Sequence, residues 1–151
     1  MKKIVFICTG NVCRSPMAEH YMQGKIKELK KNEEYIIDSC GIYANPGEKA
    51  TKNAIEAIKE YGIDMESHRA KNIYQINLED FDLIIGLTNQ HKENIIRLFP
   101  TIKNKVYTLK EYVDPSISYK DIDDPWGFNI YIYKSCAKEI VDYVDKLIEK
   151  F

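Results

Sequence analysis

The sequence predicts an α/β fold, a doubly wound four-stranded parallel sheet with helices on both faces. Two observations predict it. Short apolar runs alternate with amphipathic, helix-period segments four times along the chain. Crossovers between parallel strands are right-handed, which winds such an alternation around both faces of one sheet. The 151 residues are one domain's worth, so residues 1–151 are read as a single domain.

The first run, Ile4-Val5-Phe6-Ile7, ends at Cys8 and reads as a buried strand. Ser15-Pro16 reads as a helix start, with Ser15 as N-cap and Pro16 at the first helical position. That helix runs to about Lys31, with Met17, Ala18, Tyr21, Met22, Ile26 and Leu29 on its apolar face. Glu33 to Gly41 returns to strand character, and Ile42–Lys49, carrying Asn45-Pro46-Gly47, is a turn-rich loop. Thr51 or Asn53 starts a helix through Tyr61, closed by Gly62. Phe81–Leu87 is the most continuous buried-strand run, and Thr88 caps a helix that Pro100 closes. Lys105–Thr108 is a short strand, Tyr112–Pro125 a long loop of the kind that often carries function, and Tyr133–Phe151 a final helix. Tyr133, Cys136, Ile140, Val144, Leu147 and Phe151 form the last helix's apolar stripe.

Bulk properties narrow the function classes. Hydrophobic residues make up 44% and charged residues 30%, the balance of a globular protein. A net charge of −1 leaves no basic footprint for nucleic acid or an acidic membrane surface. The chain shows no secretory segment and no apolar run of membrane-spanning length, so a cytoplasmic location is expected. Cys8, Cys13, Cys40 and Cys136 then read as reduced thiols, with Cys40 and Cys136 in the core. No second ligand pair at metal spacing accompanies Cys8 and Cys13, and no nucleotide fingerprint occurs, so no metal and no cofactor is expected.

The chemistry concentrates between Cys8 and Ser15. Ligands of doubly wound sheets bind beyond the carboxyl ends of the strands, and Cys8 is such an end. Successive loop N–H groups plus a helix N-terminus form a nest that cradles phosphate. Gly10 and Asn11 tolerate the backbone angles of a tight loop, and Arg14 supplies a planar fork for two phosphoryl oxygens. A thiol in that positive field is expected to be a thiolate, the reactive nucleophile. The segment Thr9, Gly10, Asn11, Val12, Cys13, Arg14, Ser15 is therefore read as a phosphate-binding loop after the first strand. Its ligands are phosphoryl groups, inorganic phosphate or other oxyanions.

Thiolate attack on phosphorus expels an alkoxide, phenoxide or amine, whose leaving atom needs a proton. Asp123-Asp124-Pro125-Trp126 in the late loop offers it. Two adjacent carboxylates repel, which favours a protonated acid, and Pro125 stiffens the backbone that aims Asp124. Trp126 offers a flat wall to an aromatic ring or cation.

Cys8-Thr-Gly-Asn-Val-Cys-Arg-Ser-Pro-Met-Ala-Glu19 resembles the N-terminal signature of the low-molecular-weight protein tyrosine phosphatases, and the resemblance runs the length of the chain. It implies a phosphorylated protein substrate and a cysteinyl-phosphate intermediate. Cys8 is then the nucleophile, Arg14 the phosphate clamp and Asp124 the general acid and base. Ser15 is expected to donate a hydrogen bond to Cys8, and Asn11 to prop the loop. The resemblance also puts the Ile42–Lys49 loop beside the mouth, with Tyr43 read either as a wall or as packing beneath the loop. For Cys13 the resemblance implies a reversible disulfide with Cys8 under oxidation, and a small buried filler is the alternative. His68, in a short family segment, is expected to make a structural hydrogen bond or lie exposed rather than act in catalysis.

Three substrates compete within that resemblance. Val12 stands where tyrosine-specific members carry a branched aliphatic residue and the arginine-specific branch carries Thr, so phosphotyrosine is preferred. Lys49-Ala-Thr51, Gln90-His-Lys92 and Val106–Val113 resemble the protein arginine phosphatase branch, which is the alternative. Arsenate reductase shares the loop but needs further cysteines after the third strand, and Thr88–Ser135 contains none.

Overall fold

The computed structural model describes residues 1–151. Four parallel strands form one sheet in the order β2-β1-β3-β4, with β1 at Lys2–Cys8, β2 at Tyr35–Gly41, β3 at Leu83–Gly86 and β4 at Val106–Thr108. Five helices connect and cover it: α1 Arg14–Glu28, α2 Lys52–Lys59, α3 Asn89–Leu98, α4 Leu109–Val113 and α5 Ile130–Glu149. The fold class expected from the sequence is the one observed.

Alternation along β1 divides the core. Ile4, Phe6 and Cys8 face the larger cluster, which also holds Met17 and Met22 of α1, Ala54 and Ile58 of α2, and Ile140 and Val144 of α5. Val5 and Ile7 face the other, with Ile73, Leu78, Ile95 of α3 and Ile102. A strand buried on both faces must be apolar throughout, which is why Ile4–Ile7 has no polar alternation.

The chain leaves β1 toward β2 on one side and returns to β3 on the other. A crevice opens at that reversal, above Cys8. Cys8 pairs with Gly41 and Ile7 with Gly86. Gly41 is required by space: a Cβ there would lie 2.6 Å from the Thr9 carbonyl oxygen and 2.8 Å from the Asn11 nitrogen.

Boundaries differ from expectation where local bonds outweigh pattern. α1 starts at Arg14 with Cys13 in the cap position, so Ser15 is not the N-cap. Its hydroxyl is engaged by Asn11 and Cys8. Leu29 is the C-cap of α1, followed by the left-handed Lys30 (φ 61°), and is 49% exposed rather than part of the buried face. The region expected as loop from Tyr112 opens inside α4, whose Thr108 hydroxyl and Glu111 carboxylate form a reciprocal capping box. α5 begins at Ile130, because the Asn129 side chain accepts from the Ile132 N–H. Thr51 and Thr88 cap α2 and α3 as expected, and Gly62, at φ 78°, lies just past α2.

Candidate active site

The loop between β1 and α1 is held by its carbonyls. Those of Cys8, Thr9, Val12 and Cys13 accept from the backbone N–H groups of Ile42, Tyr43, Thr51 and Met17, at 2.9–3.2 Å. The Asn11 carbonyl accepts from His68 Nε2 at 2.9 Å. All peptide bonds are trans, so each plane that turns a carbonyl outward turns the following N–H inward. The N–H groups of Thr9, Gly10, Val12, Cys13 and Arg14 are thereby directed away from those partners, and none of them donates within the protein. At the start of a 15-residue helix, this is an anion nest.

Asn11 sits at the strained point, with φ 56°. Its amide donates to the Ser15 and Ser39 hydroxyls at 2.8 Å each, and its Oδ1 accepts from the Lys71 N–H at 2.9 Å. Because Asn11 donates into the Ser15 oxygen, the Ser15 proton is left for Cys8 Sγ, 2.9 Å away; the Cys40 carbonyl is farther, at 3.5 Å. Ser39 in turn donates to Glu19 at 2.5 Å. Burial pushes the Glu19 carboxyl up and His68 down.

Arg14 is buried, and its Nη1 donates to the Ile122 carbonyl at 2.9 Å. Its Nη2 lies 3.5 Å from Asp124 Oδ2. The two neighbouring carboxylates diverge, contrary to the paired arrangement expected of them. Asp123 accepts from the Tyr119 hydroxyl, while Asp124 accepts from the Trp126 N–H at 3.0 Å and faces Arg14. A cavity of about 240 Å³ is lined by Cys8, Thr9, Gly10, Val12, Cys13, Arg14, Tyr43, Asn45, Glu48, Asp124 and Trp126. Tyr43 and Trp126 are 69% and 65% exposed, so Tyr43 does not pack beneath the loop. Asn11 and Ser15 stand behind the lining, fully buried.

The Cys13 thiol lies 3.5 Å from both the Thr51 and Tyr133 hydroxyls, and burial pushes it up toward the protonated form. Burial does the same to Cys40 and takes Cys136 to about 12. His68 makes a structural hydrogen bond from behind the loop, one of its two expected situations.

Several residues at the site escaped the sequence reading. His91, in the first turn of α3, lies 2.9 Å from the Thr9 hydroxyl, and burial beside Arg14 takes it down to about 4. Its nearest sequence signal is Gly86: a Cβ there would lie 3.1 Å from that of His91, so glycine lets the helix start approach β3. Glu48 and Asn45 line the mouth from the Ile42–Lys49 loop, which the resemblance puts there with only Tyr43 singled out. Glu19 and Ser39 lie on separate elements, and no local pattern joins them.

The sequence model described as "Low molecular weight phosphotyrosine protein phosphatase" matches residues 3–151. A protein-arginine-phosphatase of Bacillus subtilis (strain 168) is 38% identical over 97% of this chain and 95% of its own length. A low molecular weight protein-tyrosine-phosphatase, PtpB, of Staphylococcus epidermidis is 36% identical over 96% of each. The crystal structure of a low molecular weight protein tyrosine phosphatase from T. tengcongensis superposes with a TM-score of 0.92 at 38% identity, covering 100% of both chains. The chain belongs to the low molecular weight phosphotyrosine protein phosphatase family.

Proposed function

We propose that this chain is a single-domain cytoplasmic phosphatase that hydrolyses phosphotyrosine on protein substrates through a cysteinyl-phosphate intermediate. The observation that carries the reading is one cavity lined by a thiol, an inward-turned amide nest, a guanidinium and a carboxylate. The substrate phosphoryl oxygens take the N–H groups of the Cys8–Arg14 loop and the Arg14 fork. Cys8 Sγ attacks phosphorus in line, and the S–P bond forms as the P–O bond to tyrosine breaks. Asp124 gives its proton to the leaving phenoxide. Asp124 then takes a proton from the water that hydrolyses the thiophosphate, releasing phosphate and restoring Cys8. Ser15 donates to the sulfur when it is a thiolate. Val12, Tyr43 and Trp126 form apolar and aromatic walls suited to a flat ring. Cys13, which lines the same cavity as Cys8 and which burial keeps protonated, is the proposed disulfide partner under oxidation.

A second reading, phosphoarginine, is favoured by one feature of the same cavity. Glu48 and Asp124 line its mouth, and two carboxylates complement a guanidinium. The name of the Bacillus subtilis relative points the same way. Steady-state hydrolysis of phosphotyrosine and phosphoarginine peptides side by side decides between them. Preference for phosphotyrosine, shifted toward phosphoarginine by Val12→Thr, is expected. Preference for phosphoarginine with Val12 in place overturns the substrate assignment, and full activity in Cys8→Ser overturns the mechanism.

A further inference from the structure

Behind the phosphate loop, on the side away from the cavity, three side chains turn donor atoms toward one another. Glu19 and His20 come from α1 and His68 from the segment after α2. His20 Nε2 lies 3.0 Å from His68 Nδ1 and 3.8 Å from Glu19 Oε1, and His68 Nδ1 lies 4.0 Å from the same oxygen. Ligand atoms on a tetrahedral zinc ion, bonded at about 2.0–2.1 Å, stand about 3.4 Å apart. The observed triangle straddles that spacing.

The outward bonds of the trio form a second observation. The Asn11 carbonyl can only accept, so His68 Nε2 carries the proton and the Nδ1 lone pair points into the triangle. Glu19 Oε1 accepts from Ser39, and its Oε2 accepts from the Gln23 amide at 3.0 Å. A histidine whose other nitrogen donates to a backbone carbonyl, and a carboxylate itself hydrogen-bonded, are the outer shell of protein metal sites. The side chains of Glu19 and His68 are 11% and 5% exposed and that of His20 is 18%, which leaves His20 as the approach from solvent.

We propose that Glu19, His20 and His68 bind one divalent cation of the zinc class, with a fourth position open to water. Two imidazoles and one carboxylate make a borderline donor set suited to that ion. On binding, His20 passes its Nε2 proton to its own Nδ1 through solvent, and the cation takes the freed lone pair. The ion's field makes the His68 N–H a stronger donor to Asn11, so occupancy stiffens the loop at its left-handed residue.

Because the cavity thiol competes for zinc, the test uses Cys8→Ser protein. Titration calorimetry with zinc chloride is expected to show one equivalent bound, and adding His20→Ala to weaken it about tenfold or more. No binding to Cys8→Ser, or unchanged affinity with His20→Ala, overturns the site. Cobalt(II) added to Cys8→Ser provides a measurement that needs no further variant. Visible bands without thiolate charge transfer are expected, whereas a sulfur-to-cobalt band places the ion on another cysteine and overturns the assignment.

Discussion

The two loops that meet at the cavity are built to different standards. The carbonyls of Cys8, Thr9, Asn11, Val12 and Cys13 are bonded outward, Asn11 engages both amide protons and its Oδ1, and the residues behind are buried. The loop that carries Asp124 is pinned at two neighbouring residues, and the first of them, Asp121, accepts from the Asn89 N–H at 2.8 Å. Ile122, fully buried, donates its N–H to the Leu87 carbonyl at 2.9 Å and accepts from Arg14 at 2.9 Å. Beyond it Asp124, Trp126 and Phe128 stand in solvent, held mainly by turn bonds among themselves. Phosphoryl binding needs donors fixed before the ligand arrives, while leaving-group chemistry must adapt to whatever side chain is attached. The difference in support matches the different tasks proposed for the two loops.

The strongest way to separate the two halves is Asp124→Asn. On the proposed mechanism it lowers kcat about a thousandfold and leaves phosphate inhibition unchanged, because the nest does not depend on Asp124. An equal loss of phosphate affinity would mean the two loops act as one unit.

A second test addresses what holds the rigid half from outside. His91 is taken from its ordinary value of 6.5 down to about 4 by burial and then by Arg14. Between those values the unfolded chain binds the proton that the folded chain refuses, so stability falls as pH drops from 6.5 toward 4. The shift corresponds to about 3 kcal/mol of stability present above pH 6.5 and lost by pH 4. Urea unfolding of wild type and His91→Gln should differ in pH slope by that amount over that window. Identical slopes would show that His91 does not carry the acid sensitivity, and taking the difference removes the parallel contributions of His20 and His68.

The smallest of the three is Gly41→Ala. Its methyl group meets backbone atoms of Thr9 and Asn11, so the loop itself must move. A displacement of this kind is expected to cost about a hundredfold in kcat/KM, with phosphate affinity falling in parallel. Normal phosphate affinity in Gly41→Ala would show that the loop tolerates displacement and is less rigid than its bonding indicates.

What the sequence made legible follows the same division. β1, the nest and the start of α1 lie within one continuous stretch, so an apolar run, Gly10-Asn11, Arg14 and Ser15-Pro16 announced them together. The caps Thr51 and Thr88 and the stop at Gly62 were equally local. The support behind the loop was less so: Ser39 and His91 come from distant elements and look like ordinary polar residues alone, and His68 was expected to hydrogen-bond or lie exposed with no partner named. α4 spans five residues, too few to show a period, and only its capping box could have revealed it. The divergence of Asp123 from Asp124 depends on Tyr119, whose role no spacing rule specifies.

The inward-turned amides have a consequence for the protein outside catalysis. Five N–H groups without a protein acceptor face the cavity in the folded state, and the unfolded chain gathers no such nest for an anion. Any tetrahedral oxyanion that fits therefore acts as a conformational ballast. At ten times its dissociation constant it deepens the folded basin by about 1.4 kcal/mol, so the product of the proposed reaction also helps keep the enzyme folded.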